Sequence, residues 1–216
     1  MNKKTPLLVV LALAVAALAC AVPSLPGGDG SLFKDDFSSS DSGWGTGTDS
    51  ESSVEYAGGA LVMQVFLDNY FVWSTPGEEN VENVHIEVTA TNTSGQPGTA
   101  FGILCNHQVT DTFYYFAITS AGDYAIAMTA LAIDDVFLTN NDQWAVSDSI
   151  TQNAASYRIG ADCGNGALTL YVDGKQIDSV SDTSYAKGDV GLFAWTGTET
   201  SAEVHFDDIV VTSLAK

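Results

Sequence analysis

The chain has 216 residues, 45% of them hydrophobic and 10% aromatic, with 27 acidic against 7 basic side chains and a formal net charge of -20. That apolar content excludes an acidic disordered tail, and the length is enough for one sizeable core. The charge makes nucleic acid and anionic lipid surfaces poor partners, because binding to phosphate rests on Lys and Arg displacing counterions; an acidic surface instead attracts cations, divalent ones included.

The first element is an address. Lys3 and Lys4 precede the apolar run LLVVLALAVAALA, which stops at Cys20 and gives way to AVPSLPGGDG. The run is shorter than the roughly 20 apolar residues a membrane span needs, so residues 1–19 read as a secretory signal and not as fold. Ala17-Leu18-Ala19-Cys20 resembles a bacterial lipobox, in which Cys20 would carry the lipid; the alternative is an ordinary signal peptide containing a Cys. Loss of residues 1–19 removes two lysines and takes the charge from -20 to -22. Residues 20–31 then read as the lipidated Cys and a Pro- and Gly-rich tether, and 32–216 as the folded domain. On this reading the only membrane contact is through the N-terminal lipid.

Beyond the tether, short runs of period-two alternation recur between Gly, Asn, Asp, Ser and Pro clusters, the pattern of an all-β sandwich or barrel. ALVMQVF comes first. VHIEVTAT places Val84, Ile86, Val88 and Ala90 on one face and His85, Glu87, Thr89 and Thr91 on the other, a strand with one wet side. TAFGILC, TFYYFAI and DYAIAMTAL follow, and in TFYYFAI the core phase is Tyr114, Phe116 and Ile118. AIAMTALAIDDVF is apolar enough for a short helix. YRIGADC leads to ALTLYVDGKQIDSV, which turns at Asp173-Gly174, a preferred two-residue hairpin signal. DVGLFAW and AEVHFDDIVV close the set. No repeat at solenoid or propeller spacing appears.

With Cys20 assigned to lipid, Cys105 and Cys163 remain, and in an exported protein a lone pair of this kind points to one disulfide. The loop it closes, nearly sixty residues, is worth about 4 kcal/mol in the chain-entropy model. The rival reading, a metal site with His107, has too few ligands in view.

The succession DDFSSSDSGW, YAGGALVMQV, GTAFGILC, FYYFAITSAGDYAI, ALTLYVDGKQI, GDVGLFAW and VHFDDIVV resembles the concanavalin A-like jelly roll, over residues 32–214. It is most similar to the branch holding laminin G-like domains, family 16 glycoside hydrolase-like domains and the 3-keto-disaccharide hydrolase domain of exported bacterial lipoproteins. The resemblance implies a two-sheet antiparallel sandwich. Its members include lectins, glucanases and adhesive modules, so it does not select an activity.

The same resemblance implies that the first and last strands lie close together, bringing Asp35 and Asp36 near Asp207 and Asp208. In VHFDDIVV the alternation slips: Val204 and Phe206 share a face that Ile209 and Val211 then take over, as an extra residue in a β-bulge at Asp207 or Asp208 would explain. Clustered carboxylates repel unless protonated or shared with a cation, and Ca²⁺ prefers six to eight oxygen ligands. By analogy with calcium-bearing members, the four acids are candidates for one structural Ca²⁺. The alternative is that they solvate and protect an edge strand.

No catalytic set is legible. None of the eight Glu residues begins the Glu-x-Asp-x-x-Glu spacing of a family 16 glucanase, and Glu78, Glu79, Glu82 and Glu87 read as solvated acids. His85, His107 and His205 have no metal or triad motif beside them. Binding has the better case, since sugar recognition stacks aromatic faces on C–H groups beside hydrogen-bonding amides and carboxylates. Trp144 in NNDQWAVSD, Tyr115 in TFYYFAI and Trp73 in NYFVWSTP are the candidate rings; packing over a sandwich edge or a cross-strand aromatic pair is the alternative for each. Trp44 and Trp195 read as core or lid residues. The leading expectation is a non-catalytic carbohydrate-binding or adhesive module whose partner is a polysaccharide or surface glycan. The alternatives are a hydrolase of the 3-keto-disaccharide type and a structural surface domain.

Overall fold

A computed structural model describes residues 30–77, 80–109, 112–129 and 135–214. The signal segment, Cys20 and all but the last two residues of the tether lie outside these. In chain order the strands are β1 (Ser31–Asp35), β2 (Gly47–Thr48), β3 (Ser52–Ala57), β4 (Ala60–Val65), β5 (Phe71–Ser74), β6 (Val84–Asn92), β7 (Ala100–Val109) and β8 (Thr112–Thr119). They continue as β9 (Asp123–Thr129), β10 (Val136–Phe137), β11 (Ala145–Val146), β12 (Tyr157–Gly164), β13 (Ala167–Val172), β14 (Lys175–Val180), β15 (Asp189–Trp195) and β16 (Ala202–Ser213). There is no α-helix among the described residues, so the apolar 125–137 stretch, long enough for one, is instead built from strands at both ends. Its β-forming phase wins because Ile126 and Met128 face the core while Ala125 and Ala127 face the other way.

Two antiparallel sheets stack as a sandwich. One runs β14, β13, β12, β6, β16, β4, β3, β2, with β1 laid against β16; the other runs β10, β9, β8, β7, β15, β5, with β11 against β9. Between them lies the core expected from alternation: Val84, Ile86, Val88 and Ala90 from β6 meet Tyr114, Phe116 and Ile118 from β8. Cys105 on β7 and Cys163 on β12 are bonded through this core with Cα atoms 6.5 Å apart, so the disulfide ties one sheet to the other. The β13–β14 hairpin turns at Asp173 (φ 52°) and Gly174 (φ 75°), both left-handed as a type I′ turn demands. Trp44 is buried against Phe37 and Phe33, and its backbone N–H donates to the Tyr56 hydroxyl at 3.0 Å.

The slip in β16 is a bulge. Asp207 pairs with Thr89 and Val210 with Glu87, so three steps on β16 match two on β6, and Asp208 takes a left-handed φ of 51°. The other flank explains its position. Up to Phe206 that flank is held by β4, and from Ile209 onward by β1. The bulge therefore sits where β16 changes partners, and it keeps Val204, Phe206, Ile209 and Val211 all buried. Because β16 lies inside the sheet, edge protection does not account for Asp207 and Asp208; β1, like β14 and β2, pairs on one side.

Candidate functional site

The outward phase of the seven-stranded sheet is apolar too, which a sandwich strand exposed to water would not be. β5 directs Phe71 and Trp73 outward, β8 Phe113 and Tyr115, β15 Phe193 and Trp195, with Leu104, Ala117, Ala125 and Ala127 filling the ground between them. The rings form one connected surface. Phe71 stacks on Phe193 with centroids 4.8 Å apart and planes 10° from parallel, and Phe113 lies 6.0 Å from Phe71 and 6.2 Å from Trp73. Each such contact contributes about 0.5–1.5 kcal/mol beyond burial. Gly102 makes the packing feasible: a Cβ there would strike the Phe116 carbonyl, and the Phe193 ring passes over it.

The segment carrying β10 and β11 folds onto this surface. Trp144 enters beside Trp195 at 6.1 Å and Phe137 beside Trp144 at 5.9 Å. The segment is held by Tyr115, whose hydroxyl donates to Asp135 Oδ2 at 2.9 Å, and is braced internally by Asp142, which accepts from the Phe137 N–H at 2.8 Å. Burial first, and then Asp135, pushes the Tyr115 phenol well above its ordinary range, so it remains a donor. Tyr115 is 1% exposed, whereas Trp73, Trp144 and Trp195 are half-buried. The three candidate rings thus meet on one face, but Tyr115 forms its floor and only Trp73 and Trp144 offer surface to a ligand.

Trp73 also walls a polar cleft of about 480 Å³ lined by Thr46, Thr48, Asp49, Ser52 and Thr75. A ring beside hydroxyls and a carboxylate is the combination that a sugar ring requires. Trp195, read as core or lid, belongs to this face, and Phe71, Phe113 and Phe193 were not singled out at all. The signal for them lay in FVW, FYY and LFAW, where both phases are apolar or aromatic and the outward one is aromatic.

No protein-family model matches the chain, and no curated protein does. Solved structures match in fold. The carbohydrate-binding module CBM66 from Bacillus subtilis aligns at TM-score 0.60 and 14% identity, over 79% of this chain and 96% of that one. The catalytic domain of an endo-1,3-beta-glucanase (laminarinase) from Thermotoga petrophila aligns at 0.56 and 12%, over 84% and 96%. A Bacillus subtilis protein of unknown function with a galectin-like fold aligns at 0.62 and 8%, over 85% and 96%. The fold is a concanavalin A-like jelly roll.

In this jelly roll the acids at the chain ends come together only in part. Asp35, Asp36 and Asp208 line a pocket of about 300 Å³ with Lys34, Ile209 and Val210, and Asp207 does not. Asp35 accepts from the Phe37 N–H at 2.8 Å; Asp36 accepts from the Ser38 N–H and hydroxyl, which hold its carboxyl below the usual range. The Asp207 carboxylate accepts from the Asp208 N–H, while the Asp208 carbonyl accepts from Arg158 Nη1 at 2.7 Å. Asp35 Oδ2 is buried without a hydrogen-bond partner, the one feature that fits a cation. Against it, no three His, Cys, Asp or Glu side chains among the described residues gather as a metal-holding group.

The wet face of the nine-stranded sheet carries the histidines expected there. His85 Nδ1 lies 2.6 Å from Asp162 Oδ1, whose other oxygen accepts from the Tyr171 hydroxyl, and Arg158 reaches Glu87 at 3.3 Å. His205 Nε2 lies 2.9 Å from Glu203, which also accepts from Gln64 and Thr93; these bonds, that of His205 foremost, pull the Glu203 carboxyl down to about 2. These groups cross-brace neighbouring strands.

Proposed function

We propose that this chain is a carbohydrate-binding module which stacks a glycan on the aromatic face of its seven-stranded sheet and is held at a membrane by lipid on Cys20. The observation that carries the reading is Trp73, half-buried in a continuous aromatic surface and opening onto a cleft of hydroxyls and one carboxylate. Stacking on an apolar ring face gives affinity, and the polar cleft gives orientation. A fold likeness to a carbohydrate-binding module and to a glucanase catalytic domain agrees with a sugar ligand. The non-catalytic half of the reading rests on the outward residues: among the described residues the middle of the face is filled by apolar side chains, and Asp135, arriving from above, is bonded to Tyr115. A glycosidase needs two carboxyl groups flanking the scissile bond.

The test is depletion of the purified protein from solution by a panel of insoluble polysaccharides, with soluble sugar release followed in parallel. Selective depletion without sugar release is expected, and Trp73→Ala and Trp144→Ala should each weaken it about tenfold, the loss of one good contact. No depletion from any polymer, or depletion unaffected by both variants, overturns the binding reading; released sugar overturns the non-catalytic one. Anchoring is tested separately by Cys20→Ser, which should move the protein out of the membrane fraction.

A further inference from the structure

The cleft beside Trp73 carries a charge that its own walls do not balance. Among the described residues Asp49 is the one ionisable side chain lining it, and Thr46, Thr48, Ser52 and Thr75 contribute hydroxyls. Two hydroxyls of the wall are already engaged: Ser74 donates to the Gly45 carbonyl at 2.8 Å, and Thr48 shares a hydrogen bond of 2.7 Å with Ser53. Asp49 is held differently. The N–H groups of Glu51 and Ser52 both donate to its Oδ1, each at 2.8 Å, while its Oδ2 takes no hydrogen bond from the described residues.

Those two bonds, that from Glu51 foremost, hold the Asp49 carboxyl below its usual range, so it is ionised at neutral pH. Its charge reaches the aromatic face. Tyr70, the neighbour of Phe71, donates its hydroxyl to Glu51 Oε2 at 3.3 Å, and its phenol is pushed up by burial, then by Glu51, with Asp49 adding to the effect. The basic side chains lie elsewhere: Lys34, Arg158 and Lys175 are on β1, β12 and β14 of the other sheet, and Lys187 lines a separate cavity with His107 and Asp189. The field at the cleft is therefore negative, in the same sense as the net charge of -20 on the whole chain.

Resting on the carbohydrate-binding reading, we propose that the preferred glycan is built from amino sugars with free ammonium groups, one of which lies against Trp73 and pairs with Asp49 Oδ2. An ammonium brings donors only, and its bond to an ionised carboxylate is about twice as strong as one between neutral groups. A Trp face attracts a cation through its ring quadrupole, more strongly than Tyr or Phe does. A uronate or a sulfated sugar meets repulsion from Asp49, with no Lys or Arg among the described residues of the cleft to offset it. The aromatic face supplies the stacking that any sugar ring can use; Asp49 supplies the choice between a cationic ring and a neutral or anionic one.

The probes are two glucosamine oligosaccharides of equal length and linkage, one fully deacetylated and one fully N-acetylated, titrated calorimetrically into the purified protein at about pH 6, where the amine and Asp49 are both charged. The deacetylated oligomer should bind about tenfold more tightly. Asp49→Asn should abolish that preference, and Trp73→Ala should weaken binding of the deacetylated oligomer. Asp49→Asn keeps an Oδ1 acceptor for Glu51 and Ser52 at an exposed position, so the fold is retained. Glu203→Gln removes one negative charge from the other sheet and should leave the preference intact, which separates pairing at Asp49 from attraction to the overall charge. Equal or tighter binding of the acetylated oligomer, or a preference that survives Asp49→Asn, overturns the proposal and leaves the carbohydrate-binding reading standing. If neither oligomer binds, capture by another polymer of the polysaccharide panel overturns the amino-sugar assignment alone, and capture by none overturns both.

Discussion

Tyr115 and Trp73 face the same way from neighbouring parts of one sheet, yet they play different parts. Tyr115 lies beneath the segment that carries Trp144, and its hydroxyl anchors that segment through Asp135. Tyr115→Phe keeps the ring and loses one hydrogen bond, so a loss of about 1 kcal/mol in a urea unfolding curve is expected. Glu203 is a residue whose effect depends on pH. Its folded carboxyl sits near 2, below its ordinary 4.5, because His205, Gln64 and Thr93 all hold the ionised form. The stability it confers is complete above its unfolded value and is lost as the pH falls from about 4.5 towards 2. Glu203→Gln should therefore flatten the fall of melting temperature across that window while leaving the neutral-pH slope unchanged; an equal fall in both proteins would separate Glu203 from acid stability.

At the scale of elements, the bulge in β16 is the most consequential local departure from regular pairing. Removing Asp208 would leave Phe206, Asp207, Ile209, Val210 and Val211 in strict alternation and in regular pairing with β6, so Ile209 and Val211 would stay on the buried face. Asp208→Gly, by contrast, keeps the extra residue and relieves a left-handed φ, and should shift stability by no more than about 1 kcal/mol in either direction. The slip was legible in VHFDDIVV because alternation is a property of neighbours in sequence. Its cause was not, since the exchange of β4 for β1 along one flank involves residues more than a hundred positions away.

For the whole molecule, the disulfide joins the two sheets and closes a loop across a separation of 58 residues. Replacing both Cys105 and Cys163 with Ala should lower unfolding free energy by about 4 kcal/mol, and reductant should shift the midpoint of the unmodified protein but not of the variant. Composition, the cysteine pair, the turn dipeptides and two-residue periodicity were sufficient for an all-β sandwich and for most strands of its core, because burial between two sheets imposes a local rhythm on each strand. Trp73, Trp144 and Tyr115 could be picked out individually for the same reason: each departs from the surroundings expected of a core ring. What only the tertiary structure decided is their company. Phe71, Phe113, Phe193 and Trp195 join them from separate strands, Tyr115 becomes floor while Trp73 stays open, and Asp49 and Trp73 meet at a cleft 24 residues apart in sequence. Those relations depend on strand order and on which loop folds over which face, and no periodicity within a strand records either.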